Sequence, residues 1–340
     1  MIQQLPLLKQ HQLKAALGKS FHRRRQVAVV LHLGGGVQSS TLAYMAAEGL
    51  IDVDLVLFAD TGDEPFWVYQ TVGNVRTALG RRGIPLVMTV RECNYNGWFV
   101  TSAGPRGSMP VWVKMPGQEK PGRLRRQCTN ELKVVPNERY LRLWLAQQNV
   151  IRLPSPYHLQ DGVLWEGHSR IYDHREWPRM PIPNDVYVES LFGISTDEPL
   201  RAKERGPRWQ KTRYPLIEMG MSRVDCVTWL QEHGYPVPSK SACFQCPYRD
   251  DASWLWMKEN HPAVFAEACR YDDWLRTPDA KRAGAYAAIR GEMYLHRSCV
   301  PLRAVDFAAL IAAAHRSSSS EFEKELLVTC SADGGFSCMS

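Results

Sequence analysis

Cys243-Phe244-Gln245-Cys246 sets two thiols in one short segment, between Ala242 and Pro247. A tight Cys-x-x-Cys turn points both sulfurs at a common centre. That suits a metal, either tetrahedral zinc held by Cys and His or an iron–sulfur cluster with one thiolate per corner. A redox dithiol is the other chemistry such a pair can carry. Cys299, in His296-Arg297-Ser298-Cys299, is a candidate further ligand. A second signal is Gly34-Gly35-Gly36-Val37-Gln38-Ser39-Ser40. Successive glycines let the backbone turn sharply and come close to a ligand. Ser39 and Ser40 then fall at a helix start, where free N–H groups and the dipole favour an anion. The run is neither a dinucleotide Gly-x-Gly-x-x-Gly pattern nor a Walker loop, whose Lys is missing. Basic residues flank these segments: Arg123, Arg125 and Arg126, then Arg201, Lys203, Arg205, Arg208, Lys211 and Arg213, with Trp98, Trp112 and Trp209 interleaved. Arg beside aromatic rings suits phosphates and stacked bases, in a nucleotide or a strand. For any single Arg, a solvated face or a carboxylate partner is the alternative.

Such loops need a scaffold that presents them at strand ends. Gln26–Leu33 is a Val-rich apolar run of the kind found in buried parallel strands. Leu55–Ala59 and Ile84–Val90 read as two more strands. Helices fall over Thr41–Glu48, closed by Gly49, and from Pro65 to Arg82, stopped by Gly83. Strands alternating with helices predict a Rossmann-like α/β fold, a doubly wound parallel sheet. Val186–Ile194 and Arg213–Glu218 supply the remaining strands, and helix returns near Pro136–Gln148. Between Cys93 and Gln127, Gly, Pro and aromatics dominate without periodicity, which reads as a functional lid. Leu153–Asp185 reads as an insertion or a second loop layer, and the chain beyond residue 250 as mainly helical. Cys93, Cys226 and Cys269 read as buried structural thiols, with Cys226 and Trp229 on the apolar face of one helix. The expected division is a basic N-terminal segment (1–25), an α/β domain (26–250), a helical C-terminal part (251–315) and a disordered Ser/Gly-rich tail (316–340).

Composition narrows the function classes. With 44% hydrophobic and 23% charged residues in 340, a wholly disordered chain is excluded. The net charge of +7 is compatible with a nucleotide or nucleic-acid partner without requiring one. Nine cysteines, an odd count, argue against a secreted disulfide framework and for a reduced, cytoplasmic setting. No apolar run approaches the roughly 20 residues of a membrane span.

Several of these segments resemble one superfamily. Gly34–Ser39 is similar to the pyrophosphate loop of PP-loop ATP pyrophosphatases, Ser-Gly-Gly-x-Asp-Ser, with Gly34 for the first Ser and Gln38 for the Asp. Asp60-Thr61-Gly62 resembles the Asp-Thr-Gly of its phosphoadenylyl-sulfate (PAPS) and adenylyl-sulfate (APS) reductase branch. Gln127-Cys128-Thr129-Asn130-Glu131-Leu132-Lys133-Val134-Val135-Pro136 is similar to the Cys-Cys-x-x-Arg-Lys-Val-x-Pro stretch of iron–sulfur APS reductases. Gly193-Ile194-Ser195-Thr196-Asp197 resembles that branch's Gly-x-Arg segment. Tyr214-Pro215-Leu216, Asp225 to Leu230 and His233-Gly234-Tyr235-Pro236 resemble the run that leads to the reductases' own Cys-x-x-Cys. The matches follow in order from about residue 28 to 250. The chain departs from the pattern at Thr129, where the second Cys would stand, and at Ser195, where an Arg would. It also lacks the reductases' C-terminal Glu-Cys-Gly-Leu-His motif, ending instead in Cys338-Met339-Ser340.

The resemblance implies an adenine nucleotide alpha-hydrolase-type fold binding ATP and Mg²⁺. Gly34, Gly35, Gly36, Val37, Gln38, Ser39, Ser40, Asp60, Thr61, Gly62, Gly193 and Asp197 would be its ATP-binding set, with Ser39, Asp60 and Lys133 as catalytic candidates. Cys128 would join Cys243 and Cys246 on a [4Fe–4S] cluster, zinc being the alternative. Cys299 would be the fourth ligand, or the fourth corner would stay open to hold sulfur. The leading expectation is an ATP pyrophosphatase that adenylates an acceptor and supports sulfur transfer, in nucleic-acid thiolation or DNA modification. Its partners would be tRNA or DNA and a sulfur donor such as a cysteine desulfurase. The alternatives are a PAPS/APS reductase-like oxidoreductase, and a non-catalytic nucleotide-binding subunit of a defence or modification complex.

Overall fold

In a computed structural model of the chain, the described residues are 24–90, 100–101, 104–105, 109–124, 128–161, 163–171, 177–204, 206–282 and 286–314. The segment before Arg24, the serine-rich tail, Cys93, Trp98, Arg125, Arg126, Arg205 and Cys338 lie outside them.

The Val-rich run becomes the middle strand of a sheet. β1 (Arg25–Leu33) pairs in parallel with β2 (Leu55–Asp60), Val30 opposite Leu55 and Leu33 opposite Phe58. β2 pairs in parallel with β3 (Leu86–Val90). On its other side β1 pairs with β4 (Val186–Phe192), and β4 with β5 (Gln210–Arg213), again in parallel. The order is β5-β4-β1-β2-β3, so the winding reverses between β1 and β4. Central strands flanked by neighbours must be covered on both faces, which is why β1 and β2 are apolar nearly throughout.

Alternation along the strands sorts the two layers. Ala28, Val30, Leu55, Leu57 and Val188 share one buried cluster with Leu141, Leu143 and Leu145 of a helix at Val135–Gln147. Phe58, on the opposite alternation, lies with Val68 beside Gly35. The helices are α1 (Val37–Glu48), α2 (Phe66–Gly80), α3 (Val135–Gln147) and α4 (Arg223–Glu232). α1 packs against both α2 and α4 and is buried from Val37 to Ala46 apart from Gln38, so it has no polar stripe. It stops at Gly49, whose left-handed φ of 79° lets its N–H reach Ala46 O.

Two expectations are corrected. Arg213–Glu218 is not a strand: β5 lies upstream, and Pro215 opens a helical turn at Pro215–Glu218 because its fixed φ suits a first helical position. The segment read as a loop layer holds an antiparallel three-stranded sheet of Tyr157–Gln160, Val163–Glu166 and Ser169–Arg170. Its signal was Asp161-Gly162, a two-residue hairpin pair, and Asp161 takes the positive φ (51°) such turns need.

The chain divides into two compact units. The sheet, its helices and residues up to Ser241 form the first, apart from residues 63–65 and 93–129. Those two stretches and everything from Ala242 onward form the second. In the second unit, Trp112–Lys114 pairs antiparallel with Gly122–Arg123 on one side and Glu292–Tyr294 on the other. Its helices are α5 (Asp251–Asn260), capped by the Asp250 carboxylate on Ser253 N–H, α6 (Pro262–Trp274) and the short α7 (Pro278–Arg282). Trp254 stands at the centre of the core, with Phe265 and Phe307 rings 6.4 Å away. Among the described residues no helix is long and apolar enough to cross a membrane.

Candidate functional site

The glycine run closes β1 at the point where the sheet reverses, the crevice at which doubly wound sheets bind ligands. Gly36 is the N-cap of α1 and, having no side chain, leaves the first-turn N–H groups uncapped. Gly35 sits at φ +74°, and a Cβ there would lie 2.8 Å from Val68 Cγ1. Ser39 braces the loop from inside: its hydroxyl accepts the Gly34 N–H at 3.0 Å and donates to Gly36 O at 3.3 Å. Ser40 is fully buried. From the end of β4, Gly193 presses on the same turn, where a Cβ would come within 2.5 Å of Ser39 N.

At the end of β2 the Asp60 carboxylate accepts the Gly62 N–H and the Tyr69 hydroxyl, both at 2.8 Å. Thr61 is buried beside it in sequence. Lys133 lies on a widened, π-helical turn at Asn130–Val134, a form that recurs at functional sites. Asp197 accepts the Ser195 hydroxyl at 3.0 Å and the Arg223 backbone N–H. Gln38 in turn donates to Ser195 Oγ at 3.4 Å and accepts from Arg223 Nη1 at 2.9 Å. Gln38 and Ser195, two positions at which the chain departs from the PP-loop reductase pattern, therefore touch each other. His32, near the end of β1, stacks on Phe192 with ring centroids 4.6 Å apart. Burial lowers its pKa to about 4, so the ring is neutral. Asn137 Nδ2 lies 3.3 Å from its Nδ1 and donates there, which puts the proton on Nε2. Sequence reasoning passed over His32 because its chemistry depends on burial, not on spacing.

In the second unit Cys243 and Cys246 share one turn, closed by Cys246 N–H on Cys243 O at 3.1 Å. The Cys243 thiol donates toward Glu64 Oε1 at 3.8 Å. Arg249, only 4% exposed, braces the turn through Nη2 on Ala242 O (3.0 Å) and Cys243 O (3.1 Å). Burial pulls this guanidinium below its ordinary range, while Cys246, Cys243, Asp250 and Glu64 favour its charge. Cys128 is half-buried; burial first, and the Cys128 charge as a lesser cause, push the Tyr286 phenol up to about 12. Cys299 is buried at a positive φ of 50°, its N–H on His296 O, with Lys114 and Asp272 as its charged surroundings. Among the described residues no three His, Cys, Asp or Glu side chains are grouped as ligands of one metal ion. Two thiols on one turn match two corners of a cluster, but among the described residues the donor set does not reach the three or four thiolates such a group takes.

Burial pushes the Cys226 and Cys269 thiols up to about 11, and raises Cys299 as well. Only the thiolate reacts with an alkylating agent. At pH 8 iodoacetamide is therefore expected to modify Cys128, Cys243 and Cys246 at least about tenfold faster than Cys226 and Cys269. Peptide mass spectrometry over a time course reads this directly, and early labelling of Cys226 would contradict the placement.

The end of the basic stretch before α4 meets carboxylates. Arg213 pairs with Glu189 at 2.9 Å and Glu218 at 2.5 Å, and Lys211 stands 3.9 Å from Glu189. Trp209 belongs to the buried core, under the Arg142 guanidinium at 4.8 Å, and is unavailable to stack on a base.

A doubly wound parallel sheet with a glycine loop at its switch point defines the chain as an α/β protein of the Rossmann-like type. No sequence family matches it, nor does any curated protein. Among solved structures it is similar to phosphoadenylyl-sulfate (PAPS) reductase from Candida auris in a phosphate complex, at 10% identity and a TM-score of 0.33, covering 68% of this chain and 81% of that one. It is also similar to the U34-tRNA thiolase NcsA from Methanococcus maripaludis with its [4Fe-4S] cluster, at 12% identity and a TM-score of 0.34, covering 79% of this chain and 77% of that one.

Proposed function

We propose that the chain is an ATP pyrophosphatase that activates a nucleotide-bearing acceptor for sulfur transfer. The observation that carries this reading is the uncapped start of α1, held at the switch point between Gly35 and Gly193. Its N–H groups would cradle the ATP phosphates, and the helix dipole would favour the negative charge that builds on leaving pyrophosphate. Asp60, steadied by Tyr69 and Gly62, is the group to hold Mg²⁺, and Lys133 the cation to approach the phosphates. The acceptor oxygen would attack the α-phosphorus, the α–β phosphoanhydride bond would break, and pyrophosphate would leave. A sulfur nucleophile would then displace AMP from the adenylated acceptor. Cys243 and Cys246 are the thiols of this chain suited to carry that sulfur: one would take it as a persulfide from a cysteine desulfurase, its terminal sulfur would form the new bond as AMP leaves, and the other thiolate would break the S–S bond, releasing the thiolated acceptor and leaving a Cys243–Cys246 disulfide for a thiol reductant to reopen.

The test is pyrophosphate and AMP release from ATP, with and without single-stranded RNA or DNA. Equimolar release, stimulated by nucleic acid, is the expected result. Sulfite release from PAPS or APS without pyrophosphate would overturn it in favour of a reductase. ATP binding without turnover under every condition would favour the non-catalytic subunit.

A further inference from the structure

A cleft of about 180 Å³ opens in the second unit, lined by Trp112, Arg123, Pro247 to Asp250, His296 and Arg297. We infer that it is a docking site for one phosphate-bearing nucleotide unit of the acceptor, its base stacked on the Trp112–Tyr248 wall and its phosphate held by Arg123 and Arg297. The inference rests on the reading above, in which the acceptor carries a nucleotide, and names where that nucleotide sits.

The lining is basic. Arg123, Arg249 and Arg297 line it together with Asp250, and Asp251 behind the lining pairs with Arg297. Arg123 is exposed and held by rings: its guanidinium lies 5.1 Å from the Trp112 centroid and 4.5 Å from that of Tyr248. No carboxylate among the described residues pairs with it, so its charge is available to an anion. The Trp112 ring is oriented by its Nε1–H, which donates to Pro247 O at 3.3 Å. An alternation of cation and aromatic face is the surface on which bases and phosphates bind together.

His296 and Arg297 are both tied to a buried carboxylate. Asp251 takes both Arg297 nitrogens, at 2.9 and 2.6 Å, and His296 Nε2 at 2.9 Å. Burial pushes the Asp251 carboxyl up, but its hydrogen bonds from His296 and Arg297 outweigh that and hold it below its usual range. The Ser298 N–H and hydroxyl reach His296 Nδ1 at 3.2 and 2.7 Å, so Nδ1 accepts, the proton sits on Nε2, and the ring is neutral. Arg297 keeps about half its surface open while its head is aimed by Asp251. The cleft, about 180 Å³ and open to solvent, has room for a phosphate and part of a sugar or base. The floor is Arg249, the same residue that braces the Cys243–Cys246 turn. This stretch of the cleft lining begins at Pro247, the residue that follows Cys246.

The test is fluorescence anisotropy of a labelled single-stranded 12-mer at 50 and 200 mM salt, with AMP and UMP as unlabelled competitors. Arg123→Ala is expected to weaken binding about tenfold and to reduce the salt slope by about 0.7, the share of one phosphate contact on a single strand. Tyr248→Ala is expected to weaken binding with the slope unchanged, the signature of lost stacking. Arg282→Ala, an exposed site on α7, should leave both unchanged. Competition by the mononucleotides at strand-like concentrations would assign the cleft to free nucleotides, and failure to compete would assign it to a strand. Wild-type affinity in both Arg123→Ala and Tyr248→Ala, or displacement of the strand by a poly-Glu peptide as readily as by oligonucleotide, would overturn the inference. Equilibrium ATP binding by the wild-type protein is measured alongside: strand docking without ATP binding would sink the ATP reading and leave the cleft standing, whereas ATP binding without strand docking would sink the cleft alone.

Discussion

Gly193→Ala is expected to reduce ATP affinity by at least about tenfold and to lower stability by about 1–3 kcal/mol. The new methyl would lie 2.5 Å from Ser39 N, 2.6 Å from Ser39 Cα and 2.9 Å from Gln38 C. All three are backbone atoms, so no side-chain rotation relieves the clash. Either β4 or the start of α1 must retreat, and the N–H groups aimed at the phosphates move with it. The strain is purely spatial, because Gly193 does not occupy the left-handed region. Gly73 in α2 supplies the contrast: nothing lies within 4 Å of a Cβ there, so Gly73→Ala should gain roughly 0.5–1 kcal/mol of helix propensity. Urea unfolding and equilibrium ATP binding on the two variants check this together. Equal behaviour of Gly193→Ala and wild type would show that β4 does not press on the loop.

The same comparison shows where the sequence was legible. β1 to β3 and the helices between them were readable because a doubly wound sheet makes its central strands apolar on both faces and sets glycine at the turns. β5 was not, since Gln210–Arg213 is a polar edge strand whose Lys211 and Arg213 meet Glu189, buried on β4. That pairing is long-range, and no local period announces it. The glycine loop was visible as a motif, but its closure by Gly193 needed the strand order. Gln38 and Ser195 looked like two independent departures from the PP-loop reductase pattern, yet they share a hydrogen bond 157 residues apart in the chain. Trp209, Lys211 and Arg213 misled for the opposite reason. Basic and aromatic residues in sequence resemble a binding surface until burial and carboxylate partners are known.

A larger loss is expected from Asp272→Ala, about 3–5 kcal/mol, because it strips the partner from buried polar groups. Asp272 has no exposed surface, and its carboxylate accepts Leu295 N–H at 2.7 Å, Leu302 N–H at 2.9 Å and Arg276 Nη1 at 2.8 Å. The two backbone donors bracket His296, Arg297 and Cys299, so a single side chain on α6 fixes the segment that forms one wall of the basic cleft. Arg276 would survive the change in part, being also bound to Asp273 at 2.7 Å and lying over the Tyr294 ring. The two N–H groups would not, since among the described residues neither has another acceptor. Asp273→Ala is the control: that carboxylate is 42% exposed, and surface pairs contribute roughly 0–1 kcal/mol. Urea unfolding should separate the two variants clearly. A second readout follows from geometry: releasing residues 295–302 should open Cys299 to iodoacetamide, at a rate approaching that of Cys243. A stability loss without faster Cys299 labelling would mean that Asp272 supports the α6 core and does not hold the wall of the cleft.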